Sequence, residues 1–249
     1  PKERIQTILS TLQPALQIDA RKKEKSEEPI LSFSACLEKL NVTIASSEEG
    51  KVCSYAVPEE LTQAESELLC SIRESMIDTD PLYSIFTSGT TGVPKGVLIS
   101  HRSVIDLVQR FGEVFDFPEH PVFGNQAPFD FDVSVKDIYS ALHAGAALAV
   151  VPRRLFSAPT QLIDFLCDTG TTTMIWAVSA LCLITGFHAL DYRGTETVNK
   201  VLFSGDVMPA KALAALRRHL PDAMYVNLYV PTEITCNCTY HILEKDRDY

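Results

Sequence analysis

Three short polar runs carry the residues best suited to chemistry. The first, "TSGTTGVPKG" from Thr87 to Gly96, sets three glycines, four hydroxyls and one lysine between two apolar runs. Glycines 89, 92 and 96 let the backbone turn tightly and bring N–H groups close to an anion. Thr87, Ser88, Thr90 and Thr91 add hydroxyl donors and Lys95 adds a positive charge. That combination suits a polyphosphate. The register is not the Walker pattern, which places the second glycine directly before lysine and a hydroxyl residue, so a P-loop NTPase is disfavoured. Composition alone leaves a plain flexible glycine turn equally open. The second run, "FDFDVSV", holds Asp132, which on its own reads as a helix cap. The third, "NLYVPTEIT" from Asn227 to Thr235, holds Tyr229 and Glu233, on their own a strand-end aromatic and a solvated acid.

The elements that must hold these runs follow from periodicity. Apolar "LYSIF" reads as a strand, then come the glycine loop, the strand "GVLIS" and a helix with Val104, Leu107, Val108 and Phe111 at 3.6-residue spacing. The order repeats with "AALAVV" as a buried strand, "TQLIDFLCDTG" as a helix closed by Gly170, and "TTTMIWAV" and "NKVLFSG" as strands. Pro209 then opens the helix "PAKALAALRRHL", and "MYVNLYV" is a further strand. Strands this apolar, separated by helices, imply an α/β fold with a parallel sheet covered on both faces, where ligands sit at the carboxyl ends of strands. The glycine loop and the third polar run follow strands. Near the start, Ile5, Ile8, Leu9 and Leu12 have helical spacing, "ALQI" reads as a short strand, and the charge run Arg21 to Glu28 as a solvated loop.

Composition narrows the partners. The 249 residues carry 46% hydrophobic content, enough for a real core, and 22 basic against 32 acidic side chains give a net charge of -10. That balance argues against a nucleic-acid surface or an anionic membrane as partner. No window approaches the roughly 20 apolar residues of a membrane span, and the first residues lack a signal-peptide layout, so the expected compartment is the cytoplasm. Seven cysteines, an odd number without paired metal-ligand spacing, read as reduced thiols. In "CNC", Cys236 and Cys238 are expected to share one face of a strand.

The three runs together resemble the adenylate-forming (AMP-binding) enzyme superfamily. "FTSGTTGVPKGVLISH" is similar to its phosphate loop and "NLYVPTEIT" to its adenine and magnesium loop. "FDFDVSVKDIYSALHAGA" resembles its amino-acid branch, the adenylation domains of non-ribosomal peptide synthetases and D-alanine carrier protein ligases. The likeness covers Leu82 to about Leu243 well and the first eighteen residues more loosely. It implies parallel-rich sheets with helices on both faces, as in the large N-terminal domain of that superfamily, and ATP and Mg2+ as cofactors. The implied reaction is attack of an amino-acid carboxylate on the α-phosphate of ATP, giving an aminoacyl adenylate and pyrophosphate. Transfer to the phosphopantetheine thiol of a carrier protein is implied next.

By that resemblance Thr87, Ser88, Gly89, Thr90, Thr91, Gly92 and Lys95 hold the leaving pyrophosphate, and Gly205, Asn227, Tyr229 and Val230 border the nucleotide. Thr232 contacts the α-phosphate and Glu233 gives Mg2+ a hard oxygen ligand. Asp132 pairs with the substrate's ammonium, a contact with gross Coulomb energy of roughly 4 kcal/mol at ~4 Å and effective dielectric ~20. Asp130 falls outside the matching register. The substrate pocket is carried over as Asp132, Val133, Lys136, Ala177, Leu202, Ser204, Leu228, Cys236 and Asn237. Lys136 either points inward to an acidic substrate side chain or, as first-turn lysines more often do, snorkels to solvent. His101 reads as a helix-start packing residue.

Two features depart from the pattern. Position 230 is valine where the family carries glycine; valine suits the extended geometry before Pro231 but adds bulk, so weakened AMP binding is expected. The chain resembles an internal piece of the N-terminal domain, residues 1–249, without the domain's start, its later half or the small C-terminal domain, so that alone it is expected to be inactive. "DYRG" at Asp191 lies before the adenine loop and is read as a decoy for the ribose motif. An acyl-CoA or aryl-CoA ligase, disfavoured by Asp132, and a non-catalytic nucleotide-binding or interaction module, favoured by Val230, are the alternatives.

Overall fold

A computed structural model describes residues 8, 10, 11, 17–19, 30–32, 42–47, 50–55, 62–87, 94–245, 247 and 249. The chain divides into two units, Pro1–Ile77 and Asp78–Tyr249. In the first, β1 (Gln17–Asp19) pairs parallel with β2 (Ile30–Ser32), and β3 (Val42–Ser47) pairs antiparallel with β4 (Gly50–Tyr55). Helix α1 follows at Gln63–Ser75. The short strand expected at "ALQI" overlaps β1, whereas the charge run 21–28 lies outside the described residues.

The second unit holds all three polar runs. It opens with a hairpin of β5 (Pro81–Thr87) and β6 (Lys95–Ser100), then α2 (His101–Phe115), β7 (Val122–Asn125), α3 (Ser134–His143) and β8 (Ala147–Val150). A 3-10 turn at Arg153–Ser157 leads to α4 (Pro159–Asp168), β9 (Thr173–Ala177), α5 (Val178–Gly186) and the short α6 (Ala189–Tyr192). Next come β10 (Lys200–Ser204), α7 (Ala210–His219), β11 (Met224–Tyr229), a 3-10 turn at Thr232–Ile234 and β12 (Thr239–Ile242). The main sheet has the order β12-β11-β10-β9-β7-β8, parallel throughout except for antiparallel β12.

Local chemistry sets the elements. Ser100 caps α2 by accepting from the Ser103 N–H at 3.3 Å, and Val104, Leu107, Val108 and Phe111 all turn into the core as their spacing predicts. Gly170 closes α4 with φ of 62°, a conformation glycine adopts without steric cost. Gly124 has a different reason: a Cβ there would lie 2.9 Å from Thr171 Cγ2, so only glycine lets β7 sit this close.

Two expectations need correction. The strands flanking the glycine loop form their own antiparallel hairpin and are not part of the parallel sheet. Strand β8, read as buried, is an edge strand with partly exposed faces, and Val150 is 51% exposed. Apolar sequence does not distinguish a central strand from an edge strand whose faces are incompletely covered.

The sheet buries its two faces against different helices. One side packs Met174, Trp176, Val201, Phe203 and Tyr225 together with Leu162, Leu181 and Leu213 of α4, α5 and α7. The other packs Ile175, Leu202, Val226 and Leu228 with α2 and with Val135 and Ala141 of α3. Adjacent strand residues point to opposite faces, so each strand serves both cores. Among the described residues no helix is long and apolar enough to cross a membrane.

Candidate functional site

The carboxyl ends of β9, β10 and β11 bring the expected pocket residues onto one face. Ile175 and Leu202 are register partners, as are Ala177 and Ser204, and Leu202 also pairs with Val226. With period-two alternation, Ala177 and Ser204 therefore lie on the α2 and α3 side, one strand step beyond that core, and Leu228 lies within it. Ala177 is thus placed on the same side as its neighbours.

Helix α3 delivers the charged groups. Its first turn is closed by backbone carbonyls: Ser134 N–H donates to Phe131 O at 3.1 Å, and Val135 N–H to Asp132 O at 3.0 Å. Ser134 Oγ also donates to Phe131 O, at 2.8 Å. The Asp132 carboxylate is not the cap. The residue in the cap position is Val133, and the Oδ2 of Asp132 is buried without a partner among the described residues, in a residue only 3% exposed. The cap reading of Asp132 is overturned because neighbouring carbonyls already accept the helix's first N–H groups.

Lys136 corrects a second expectation. It does not snorkel to solvent; it is 1% exposed and lies beside Cys236, Asp137 and Asp132. Burial pulls its ammonium below the usual lysine range, while those three groups act to raise it. It makes no hydrogen bond and no ion pair within 4.0 Å among the described residues. Asp137 is equally buried, and burial pushes its carboxyl up to about 7 against the opposing effects of Asn125 and Lys136. Asn125 Nδ2 donates to Asp137 Oδ2 at 2.8 Å, which leaves Asp137 Oδ1 without a partner among the described residues.

The segment after β11 folds back onto this cluster. Thr235 and Cys236 both adopt positive φ, 61° and 67°, a conformation that is uncommon for any non-glycine residue and unfavourable for a β-branched threonine. That sharp turn drives Cys236 Sγ inward, where it donates to Asp132 O at 2.8 Å. Burial pushes the Cys236 thiol up to about 11. Cys236 and Cys238 do not share a strand face: they lie in the turn before β12, the first fully buried and the second exposed. Next to them Asn237 buries both its side-chain oxygen and nitrogen without partners among the described residues. From the hairpin, Tyr83 Oη reaches Cys236 Sγ at 3.8 Å, and burial raises its hydroxyl above the usual tyrosine range.

Two cavities open at this end of the sheet. One of about 550 Å³ is bordered by Gly205, Asn227, Tyr229, Val230, Tyr240 and His241. Gly205, with φ of 93°, turns the chain out of β10 at its rim, and Tyr229 presents a 65% exposed ring. Val230 keeps ordinary backbone geometry and packs partly against the α2 and α3 core, so any penalty it imposes is bulk and not strain. The other cavity, about 580 Å³, is bordered by Phe111, Leu228, Thr235, Asn237 and Tyr240.

Glu233 is exposed on the turn Thr232–Ile234 and Thr232 is half-buried beside it. Among the described residues no group of three or more His, Cys, Asp or Glu side chains is placed to hold a metal. Glu233 can therefore give a divalent ion one oxygen, which fits magnesium, an ion held by few protein carboxylates and completed by phosphate and water. Thr87 and Lys95 are register partners at the end of the β5–β6 hairpin, so the glycine loop starts and ends at one place. Ser88, Gly89, Thr90, Thr91 and Gly92 lie outside the described residues. Elsewhere, Asp191 Oδ1 lies 2.7 Å from His219 Nε2 on the α6 and α7 side, away from the turn Thr232–Ile234.

Residues 1–249 match in full the model of the family described as AMP-binding enzyme. The chain belongs to the AMP-binding enzyme family. The D-alanine--D-alanyl carrier protein ligase of Staphylococcus aureus (strain Newman) is 35% identical over 166 residues, 65% of this chain and 33% of that protein. The chain thus spans about a third of the length of the curated relatives it matches. The crystal structure of IdnL1 overlays on 99% of the chain and 45% of its own length with a TM-score of 0.69 at 26% identity. The adenylation domain AlmE of Vibrio cholerae, solved with glycyl-adenosine-5'-phosphate, shares the fold over 78% of this chain and 35% of its own, with a TM-score of 0.64 at 23% identity. The parallel-rich α/β architecture expected from the sequence is the one these AMP-binding family folds share.

The sequence did not single out Tyr83, Asn125 or Asp137. Tyr83 was one apolar-strand residue among five, and nothing in its spacing marks it. Asp137 and Ser140 carried a signal: with Ser134 and Ala141 they occupy inward helical positions of "VSVKDIYSAL", where polar residues need a reason.

Proposed function

We propose that this chain carries the nucleotide and amino-acid binding residues of an enzyme that activates an amino acid as its aminoacyl adenylate. The carrying observation is the buried, unpartnered Oδ2 of Asp132 at the head of α3, beside the turn that follows the adenine-loop strand. A buried carboxylate oxygen without a donor costs stability, and a substrate ammonium is the donor it lacks.

In this reading a substrate carboxylate oxygen forms a bond to the α-phosphorus of ATP while the bridging bond to the β-phosphate breaks and pyrophosphate leaves. Thr87, Ser88, Thr90, Thr91 and Lys95 neutralise the leaving group, with Gly89 and Gly92 giving the loop its turns. Asn227, Tyr229 and Gly205 border the base, Thr232 contacts the α-phosphate, and Glu233 would hold Mg2+, which supplies charge neutralisation when bound. Val133, Lys136, Ala177, Leu202, Ser204, Leu228, Cys236 and Asn237 line the side-chain pocket. The relatives named as carrier protein ligases support a second step in which a phosphopantetheine thiolate displaces AMP to give a thioester.

Amino-acid-dependent exchange of pyrophosphate into ATP, measured on the complete natural protein, tests the reading. Exchange with at least one amino acid and none with simple carboxylic acids is expected. Exchange with simple acids alone would favour an acyl-CoA or aryl-CoA ligase. The specific observation favouring a non-catalytic module is Val230 at the wall of the nucleotide cavity; nucleotide binding without any exchange would support it.

A further inference from the structure

Asp132 and Lys136 stand four residues apart, and the Val135 N–H donating to Asp132 O continues the helical turn between them. Asp132 stands just before the cap residue Val133, and its charge acts on Lys136, so the two side chains lie near one another. Both are buried, at 3% and 1% exposure, and neither side chain finds an ion-pair partner within 4.0 Å among the described residues. Asp137 is not Lys136's counter-ion at that distance; its Oδ2 is taken by Asn125. Asn237, which follows the Cys236 that acts on Lys136, holds an unpartnered buried donor and acceptor. A buried ammonium and a buried amide left open beside a buried carboxylate are incomplete on their own.

Building on the amino-acid reading above, we infer that the substrate is an α-amino acid with an acidic side chain, its α-ammonium on Asp132 and its side-chain carboxylate on Lys136. The span suits a short side chain between the α-carbon and the second carboxylate, since Asp132 and Lys136 stand close enough for one charge to act on the other. Asn237 adds a hydrogen bond to the same carboxylate. Burial disfavours the charged lysine in the free protein, and the anionic side chain restores it. A neutral side chain would leave Lys136 as open as before.

The test is pyrophosphate exchange on the complete natural protein with aspartate, glutamate, their amides, glycine, both alanines, leucine and simple carboxylic acids, repeated with Lys136→Met. Aspartate or glutamate is expected to give the highest kcat/KM. Lys136→Met is expected to cut that value about 100-fold or more, the scale of breaking a buried ion pair, and so to narrow the gap between acidic and neutral amino acids. Preference of the natural protein for a neutral amino acid overturns the inference and leaves the amino-acid reading standing, as does an equal loss for all amino acids in the variant. Exchange with simple acids alone overturns both. The natural protein's own preference decides the matter if Lys136→Met fails to fold.

Discussion

The two faces of the main sheet are built to opposite rules. The side against α4, α5 and α7 is closed by fit: Trp176, fully buried, donates its indole N–H to Gly124 O at 2.7 Å, and Tyr225 Oη donates to Leu220 O at 3.0 Å. The side against α2 and α3 has an apolar floor of the same kind, yet at the strand ends it holds the open atoms of Asp132, Asp137, Ser140 and Asn237. The remaining open polar atoms, on Thr195 and Asn199, lie before β10, at the opposite end of the strands. One face is finished by the chain itself; on the other, in the proposed reading, a ligand completes the open atoms.

That contrast is breakable. The largest stability loss is expected on the closed face: Trp176→Ala should lower unfolding free energy by about 3–5 kcal/mol in a denaturant titration, because it leaves a cavity and an unpaired carbonyl at Gly124. A loss below about 1 kcal/mol would mean that this face is not closed by fit. On the open side, Val230→Gly should tighten ATP or AMP binding about tenfold in calorimetry, roughly 1.4 kcal/mol, by removing bulk from the cavity wall. An unchanged Kd would free valine of blame.

Dependence on pH also separates the two sides. The Asp137 carboxyl is raised by burial to about 7 from an ordinary 3.8. The stability it contributes is therefore full below about pH 4 and is lost as pH rises to about 7, with a slope of at most about 1.4 kcal/mol per pH unit. Asp137→Asn keeps an acceptor for Asn125 and should flatten the stability curve between those values. Parallel curves for the two proteins would show that Asp137 does not titrate in that window.

Much of the frame could be read from the chain, because helical and strand periodicity report local burial directly. Val104, Leu107, Val108 and Phe111 fell on one helix face, and Gly170 and Pro209 marked real ends. The hairpin around the glycine loop and the exposed edge of β8 were not legible, since pairing direction and edge position are settled by distant strands. Within the site, the positions of Leu202, Ser204 and Leu228 followed from the resemblance. The burial of Lys136 did not: a first-turn lysine normally reaches solvent, and only the inward turn at Thr235 and Cys236, in a backbone state sequence rarely betrays, closes the space above it.

The central claim, that the open face is a ligand site, rests most directly on Asp132. Asp132→Asn keeps the shape and the backbone carbonyl that Cys236 contacts. Exchange and thermal melting should be measured side by side on the complete natural protein and this variant. The account predicts loss of amino-acid-dependent exchange by about 100-fold or more with Tm held within about 3 °C. Retained exchange, or a loss matched by a collapse in Tm, would contradict it.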